Sequence, residues 1–231
     1  MTGDELFRTT LPPGRHKLPR DFVQQHQRAR LFAALVELVD EKGYPAVSLT
    51  QIVKRASVAR HTFYEHYEDK EALFLALFDQ ETELALRVTA EAMEKESGSW
   101  EAKVRTGLAA LLELMAGDPA RARVVLIESQ SAGPEALARR AVAWEKFAEM
   151  LRTGRDDDPR KADPPGPLEE ILLGGAAWMI NKQLVAEGAR IEDLLPQLLE
   201  YLIAPYRGNE AARALVREVV DERPARDGDG G

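Results

Sequence analysis

Residues 43–74 read GYPAVSLTQIVKRASVARHTFYEHYEDKEALF, and this stretch decides how the rest of the chain is read. Ser48 is an N-cap residue type, and Gln51 three positions later completes a capping box, so a short helix is expected over 49–56 with Ile52 and Val53 turned inward. Ser57, Val58 and Ala59 form a tight turn in which Val58 can pack inside. A second short helix is expected over 60–66. Two short helices joined by a turn of three or four residues make a helix-turn-helix, whose second helix enters a DNA major groove. Arg60, His61, Thr62, Tyr64 and His66 supply that second helix with hydrogen-bonding side chains, while Phe63 and Tyr67, four apart, anchor its other face. An ordinary solvated helix pair in an all-α core would carry a similar pattern.

Working outward, the chain reads as helix almost throughout. Phe32, Leu35, Val36 and Val39 recur at helical spacing and stop at Gly43, a residue type that ends helices. Leu73, Phe74, Leu77, Phe78, Leu84 and Val88 continue one apolar face from Asp69 to Lys95, a helix of about 40 Å at 1.5 Å per residue. Further helices are expected over 100–116, 120–129, 135–153, 168–187, 193–206 and 210–221. Val124-Val125-Leu126-Ile127 has strand propensity but no alternating partner strand, so it is assigned to a helix. Residues 154–167, with four prolines, two glycines and seven charges, are expected to form a flexible loop. Residues 223–231 are expected to be a disordered tail. The fold class is all-α, with 1–25 a flexible basic arm, 26–70 a helix-turn-helix domain and 71–222 a larger helical domain.

Composition narrows the function. A chain of 231 residues is long enough for one or two domains with a real core. It has no cysteine, hence no disulfide, thiolate metal site or cysteine nucleophile. Its net charge of -8 argues against binding nucleic acid over the whole surface. Residues 15–67, however, carry nine Lys or Arg against five Asp or Glu, and all four histidines (16, 26, 61 and 66) fall in or beside them. A basic module on an acidic body suggests local nucleic-acid contact. No apolar run is long enough to span a membrane, and the first 25 residues show no apolar signal segment, so the expected compartment is the cytoplasm.

The competing classes are an enzyme and a protein-binding helical adaptor. There is no GxGxxG after a strand, no Walker A, no GxSxG and no HExxH. His61 and His66, five apart, do not share a helix face and make a poor metal pair. No catalytic residue, metal ligand or cofactor is therefore assigned. Steep salt dependence of DNA affinity would separate a regulator from both alternatives.

Gly43-Tyr44, Ser48, Ile52, Ala56, Val58, Thr62-Phe63-Tyr64, His66-Tyr67 and Asp69-Lys70-Glu71-Ala72-Leu73 together resemble the tetracycline-repressor (TetR) family of bacterial transcriptional regulators. The stretch LPPGRHKLPRDFVQQHQRARLFAAL resembles a subgroup with a basic N-terminal extension. The motif covers roughly residues 28–74; the remainder resembles the family in helical layout, length and the pattern around Pro205-Tyr206. The resemblance implies a homodimer whose first three helices bind an operator in double-stranded DNA. Its C-terminal domain would bind a small effector and dimerise through the last two long helices. Matched residue by residue, Thr62 and Tyr64 fall on backbone-contacting positions, Arg60 and His61 near base edges, and Lys70 on a phosphate contact. Ser48 and His66 join the candidate DNA-binding set, and Arg15, Lys17 and Arg20 could reach a minor groove or flanking phosphate. Ser57 stands where glycine is usual, Ala59 where serine usually caps, and His61 where glycine is common. The turn is thus expected to carry some positive-φ strain and the second helix to lack a side-chain cap.

The second domain offers broader signals. Trp144, Phe147 and Met150 are spaced along one helix face and are the first candidates for a pocket, with Trp100, Met115 and Trp178 beside them. The same residues would serve equally as plain core. Gly174-Gly175-Ala176-Ala177 would allow close helix approach and is read as the dimer seam, or as close packing within one chain. Ile171, Leu172, Trp178, Met179, Leu198, Leu199 and Leu202 would supply its apolar faces. The expected function is a ligand-responsive regulator, most simply a repressor released by a small, largely apolar effector.

Overall fold

The computed structural model describes residues 19–156, 167–186, 188 and 190–221. Among them are ten α-helices and no strand. The helices are α1 (Arg20–Lys42), α2 (Leu49–Arg55), α3 (Arg60–His66), α4 (Lys70–Lys95), α5 (Trp100–Gly117), α6 (Pro119–Leu126), α7 (Pro134–Asp156), α8 (Leu168–Val185), α9 (Leu195–Arg207) and α10 (Asn209–Asp221). Short 3-10 turns cover Tyr44–Ala46, Glu128–Gln130 and Ile191–Leu194. The all-α expectation holds, and α3 has the expected bounds. The VVLI run lies largely in α6, because Ala and Arg around it favour helix and no strand pairs with it.

Two expectations about flexible segments change. Residues 20–25, placed in the arm, form the first turns of α1, following Pro19, whose fixed φ suits a helix entry. Residues 154–156, placed in the loop, end α7, where Arg155 is tied to Glu169 by two hydrogen bonds. Proline density gives no notice of that partner. Residues 1–18, 157–166 and 222–231 lie outside the described residues, and with them the rest of the arm, loop and tail expectations.

The chain forms two compact units. The first takes residues up to Thr82 together with Ala120–Arg140, so α6 and the start of α7 belong with the helix-turn-helix rather than with the second half of the chain. Its core joins Leu31, Leu35, Ile52, Phe63, Leu73, Phe74 and Leu77, all fully buried, with Val124 and Ala136. Full burial of a Leu or Phe side chain contributes about 1.5–3 kcal/mol, so this cluster drives the unit's folding. Ion pairs fasten the inserted segment at its surface. Arg121 reaches Glu81 at 2.6 Å, Arg123 pairs with Asp40, and Arg139 pairs with Asp79.

The second unit holds Glu83–Pro119 and the residues from Ala141 onward. In it α9 packs against α5, α8 and α10, burying Leu198, Leu199, Leu202, Ile203 and Tyr206. Its polar centre is Glu169, 2% exposed, which accepts from Arg155 Nε at 2.8 Å, Arg155 Nη2 at 2.7 Å and the Tyr206 hydroxyl at 2.7 Å. Beside it Arg207 donates to Glu101 and to the Gly154 carbonyl and lies over the Trp100 ring. Gly154 is required there, since a Cβ would stand 2.4 Å from the Trp100 ring.

Candidate nucleic-acid interface and apolar cavity

The interface is built on α2 and α3. The capping box of α2 is complete: the Ser48 amide donates to Gln51 Oε1 at 3.0 Å and the Gln51 amide to Ser48 Oγ at 3.4 Å. At the other end of α2 the Val58 amide donates to the Val53 carbonyl and the Ser57 amide to the Lys54 carbonyl. That is a Schellman ending, with Ser57 at φ 49 in the position that favours glycine. The expected positive φ at Ser57 is therefore present. Arg30 of α1 steadies the turn by donating to the carbonyls of Ala56 and Ser57. As expected, Ala59 gives α3 no side-chain cap.

α3 is anchored from below by Phe63, fully buried, and Tyr67, whose ring packs near Phe63 and Phe32. Its outer side carries Arg60, His61 and Tyr64, all exposed. Arg60 Nη2 donates to the Tyr64 hydroxyl at 3.2 Å. Lys54, on α2, is also exposed; the sequence reading did not include it, because nothing distinguishes one exposed lysine in a basic stretch from another.

The other candidates stand differently. Thr62 is 9% exposed, beside the fully buried Phe63. His66 is held by Gln27 of α1 at 2.9 Å, and burial and Arg28 push its pKa down, which favours a neutral ring over a phosphate-binding cation. Lys70 donates to the carbonyls of Tyr44 at 3.1 Å and Val47 at 2.9 Å and stacks 4.1 Å from the Tyr44 ring centre. Its ammonium, with a pKa lowered by burial, secures the connection between α1 and α2. Ser48, though exposed, is engaged in its capping box. Arg20 opens α1, while Arg15 and Lys17 lie outside the described residues.

The second unit contains an apolar cavity of about 70 Å³. It is lined by Thr89, Met93, Val104, Leu108, Leu111, Phe147, Met150, Leu151, Leu173 and Leu202. Phe147 and Met150 of the pocket candidates are among these; Trp100, Met115, Trp144 and Trp178 are not. Trp100 is buried against Tyr206 and Arg207, Trp144 lies near Gly174, and Trp178 is 65% exposed. Thr89 spends its hydroxyl proton on the Ala85 carbonyl at 2.8 Å. Gly107 leaves space for Met93, whose Cγ would lie 2.6 Å from an added Cβ.

The residues assigned to a dimer seam also separate. Leu172, Leu198, Leu199 and Leu202 are buried within this chain's own core, so their apolar area is already used. Gly175 admits the Tyr201 hydroxyl, which would be 2.1 Å from a Cβ, so its smallness serves packing within one chain. Gly174 and Met179 are half-buried, whereas Ile171, Trp178 and Val185 are exposed. Val185, seven residues beyond Trp178, lies on the same exposed side of α8. Among the described residues no group of three His, Asp or Glu could hold a metal ion, and no helix is long and apolar enough to cross a membrane.

Comparison with known proteins agrees with this architecture. Residues 31–77 match the model of bacterial regulatory proteins of the tetR family. The fold is similar to that of the fatty acid degradation regulator FadR from Bacillus halodurans, with 16% identity, 78% of this chain and 94% of that one covered, and a TM-score of 0.67. It is similar to FadR from Bacillus subtilis in complex with stearoyl-CoA, at 18% identity, 78% and 97% coverage and a TM-score of 0.60. A TetR family transcription regulator from Marinobacter aquaeolei VT8 matches at 21% identity, 77% and 96% coverage and a TM-score of 0.61. The helix-turn-helix segment thus matches the tetR family model over residues 31–77, and the helical fold of the chain is similar to that of regulators solved from that family.

Proposed function

We propose that the protein is a homodimeric, ligand-responsive transcriptional regulator, a repressor that binds a near-palindromic operator and is released by a small apolar effector. The observation that carries this reading is the outer side of α3, where Arg60, His61 and Tyr64 are exposed on a helix held from behind by buried Phe63. An arginine there can offer a bidentate fork to guanine, worth about 1–3 kcal/mol of discrimination. Two modules related by a two-fold axis would read half-sites about one helical turn apart.

The effector reading rests on the cavity lining, which has no charged side chain and two flexible thioethers. At about 70 Å³ the empty cavity is smaller than usual ligand sites of roughly 300–1,000 Å³. Met93 and Met150 would therefore have to swing aside, and a slender alkyl chain demands least of them. The Bacillus subtilis FadR complex with stearoyl-CoA makes acyl chains the first ligands to try. The homodimer reading rests on Ile171, Trp178 and Val185, large apolar side chains left exposed at seven-residue spacing on α8.

The test is selection from a genomic fragment pool at two salt concentrations, followed by affinity measurements on the recovered sequence. One near-palindromic motif, weakened by salt, is the expected result. Arg60→Ala should reduce operator affinity about tenfold or more while changing nonspecific binding far less. Recovery of no motif above background at low salt would overturn the reading.

A further inference from the structure

The connection between α1 and α2 is gripped from two sides. Tyr44 begins the 3-10 turn that follows Gly43, and its amide has no carbonyl partner within that turn. The amide donates instead to Glu128 Oε2 at 2.8 Å, 84 residues away in sequence. On the other side of the same connection Lys70 donates to the carbonyls of Tyr44 and Val47. Val47 is followed directly by Ser48, the N-cap of α2, so this peptide segment sets where the helix-turn-helix starts.

Glu128 is itself rigidly presented. It opens the 3-10 turn Glu128–Gln130, and its carbonyl accepts from both the amide and the hydroxyl of Ser131, each at 3.0 Å. The next residue, Ser129, is fully buried and donates to the Val125 carbonyl. Three arginines of the same inserted segment pair with Asp40 of α1 and with Asp79 and Glu81 of α4. The Glu128 carboxylate is thus a fixed acceptor on a clamped element.

We propose that Glu128 is a positioning residue for DNA binding: by capturing the Tyr44 amide from outside the helix-turn-helix it holds the α1–α2 connection in the geometry that presents α3. The inference rests on the DNA-binding reading above and extends it to a residue outside the helix-turn-helix.

The sign of the effect separates this role from plain electrostatics. Removing an acidic side chain reduces repulsion of phosphates and by itself tightens DNA binding. Loss of the latch weakens it. The experiment uses the full chain as wild type, Glu128→Ala and Glu128→Gln, with affinities for the selected operator and for a random duplex, thermal midpoints, and hydrogen exchange at the Tyr44 amide. Glu128→Ala should weaken operator binding about tenfold, a factor that corresponds to about 1.4 kcal/mol. Random-duplex binding should be equal or tighter, and exchange at the Tyr44 amide faster. Glu128→Gln keeps an acceptor oxygen and should restore operator affinity to within about threefold of wild type. Unchanged operator affinity in Glu128→Ala, or equal loss in the Ala and Gln variants, overturns the latch while leaving the DNA-binding reading intact. A drop in operator affinity matched by a collapse of the thermal midpoint in Glu128→Ala assigns a structural role and also overturns it. Failure of the wild type to hold any duplex overturns the DNA-binding reading itself, and exchange at the Tyr44 amide still reports whether the hydrogen bond exists.

Discussion

Ser57 shows how much one residue's backbone conformation matters at the turn of the helix-turn-helix. Its φ of 49 places an L side chain in the left-handed region, at a cost of roughly 1–2 kcal/mol relative to glycine. The contacts that hold the turn, from Arg30 and from the Schellman bonds, all go to backbone atoms. Ser57→Gly keeps every one of them. It should stabilise the protein by about 1 kcal/mol, read as a higher midpoint in denaturant at unchanged slope. Glu169 is the second case. Burial pushes its pKa up, but the Arg155 fork and the Tyr206 hydroxyl outweigh burial and hold it down to about 2. A carboxyl with a depressed folded-state pKa contributes stability that is present above its ordinary value of about 4.5. That contribution is lost as pH falls toward 2. Glu169→Gln should therefore be less stable than wild type by about 3 kcal/mol near neutrality, since it leaves Arg155 without its carboxylate. The gap should shrink steadily below pH 4.5, as followed by chemical denaturation at stepped pH.

At the scale of the element, α8 divides its apolar residues between two tasks. Leu172, Ala176, Ile180 and Leu184 face the core of the second unit, and Ile171, Trp178 and Val185 face outward. The Lys182 ammonium lies 5.7 Å from the Trp178 ring centre, which covers only part of that ring. Trp178→Glu puts a charge in the middle of the exposed stripe without disturbing the buried one. On the proposed homodimer, sedimentation should show a dimer for the wild type and a monomer for Trp178→Glu at the same concentration, with helical content unchanged by circular dichroism. A dimer that persists would move the interface off this face of α8. In α3 the same division leaves Arg60, His61 and Tyr64 outside and Thr62 and Phe63 inside. A seven-residue helix has room for only about two side chains on each quarter of its circumference.

At the scale of the whole molecule, α4 and α7 each have residues in both compact units. Each also carries cavity-lining residues, Thr89 and Met93 on α4 and Phe147, Met150 and Leu151 on α7. Met150→Trp would fill the cavity with a larger side chain while leaving α3 untouched. Operator affinity should stay close to wild type, and its response to a long-chain acyl ligand should disappear, as measured by fluorescence anisotropy of labelled operator. A retained response would place the effector elsewhere.

The amino-acid sequence by itself determined the helices, the capping box at Ser48 and Gln51, the strained turn at Ser57 and the uncapped start of α3. Each depends on residues no more than about five positions apart, where helix geometry alone decides which groups meet. Tertiary structure alone decided which candidate side chains remain available to a partner. His66 is taken by Gln27, 39 residues earlier. Leu198, Leu199 and Leu202 are buried in their own unit, and Gly175 is occupied by Tyr201. Glu128 finds the Tyr44 amide across 84 residues, and Tyr206 finds Glu169 across 37. Periodicity marks an apolar face but not which neighbour covers it. A polar residue likewise shows its donors and acceptors but not the distant group that satisfies them, because that pairing forms only when the helices pack.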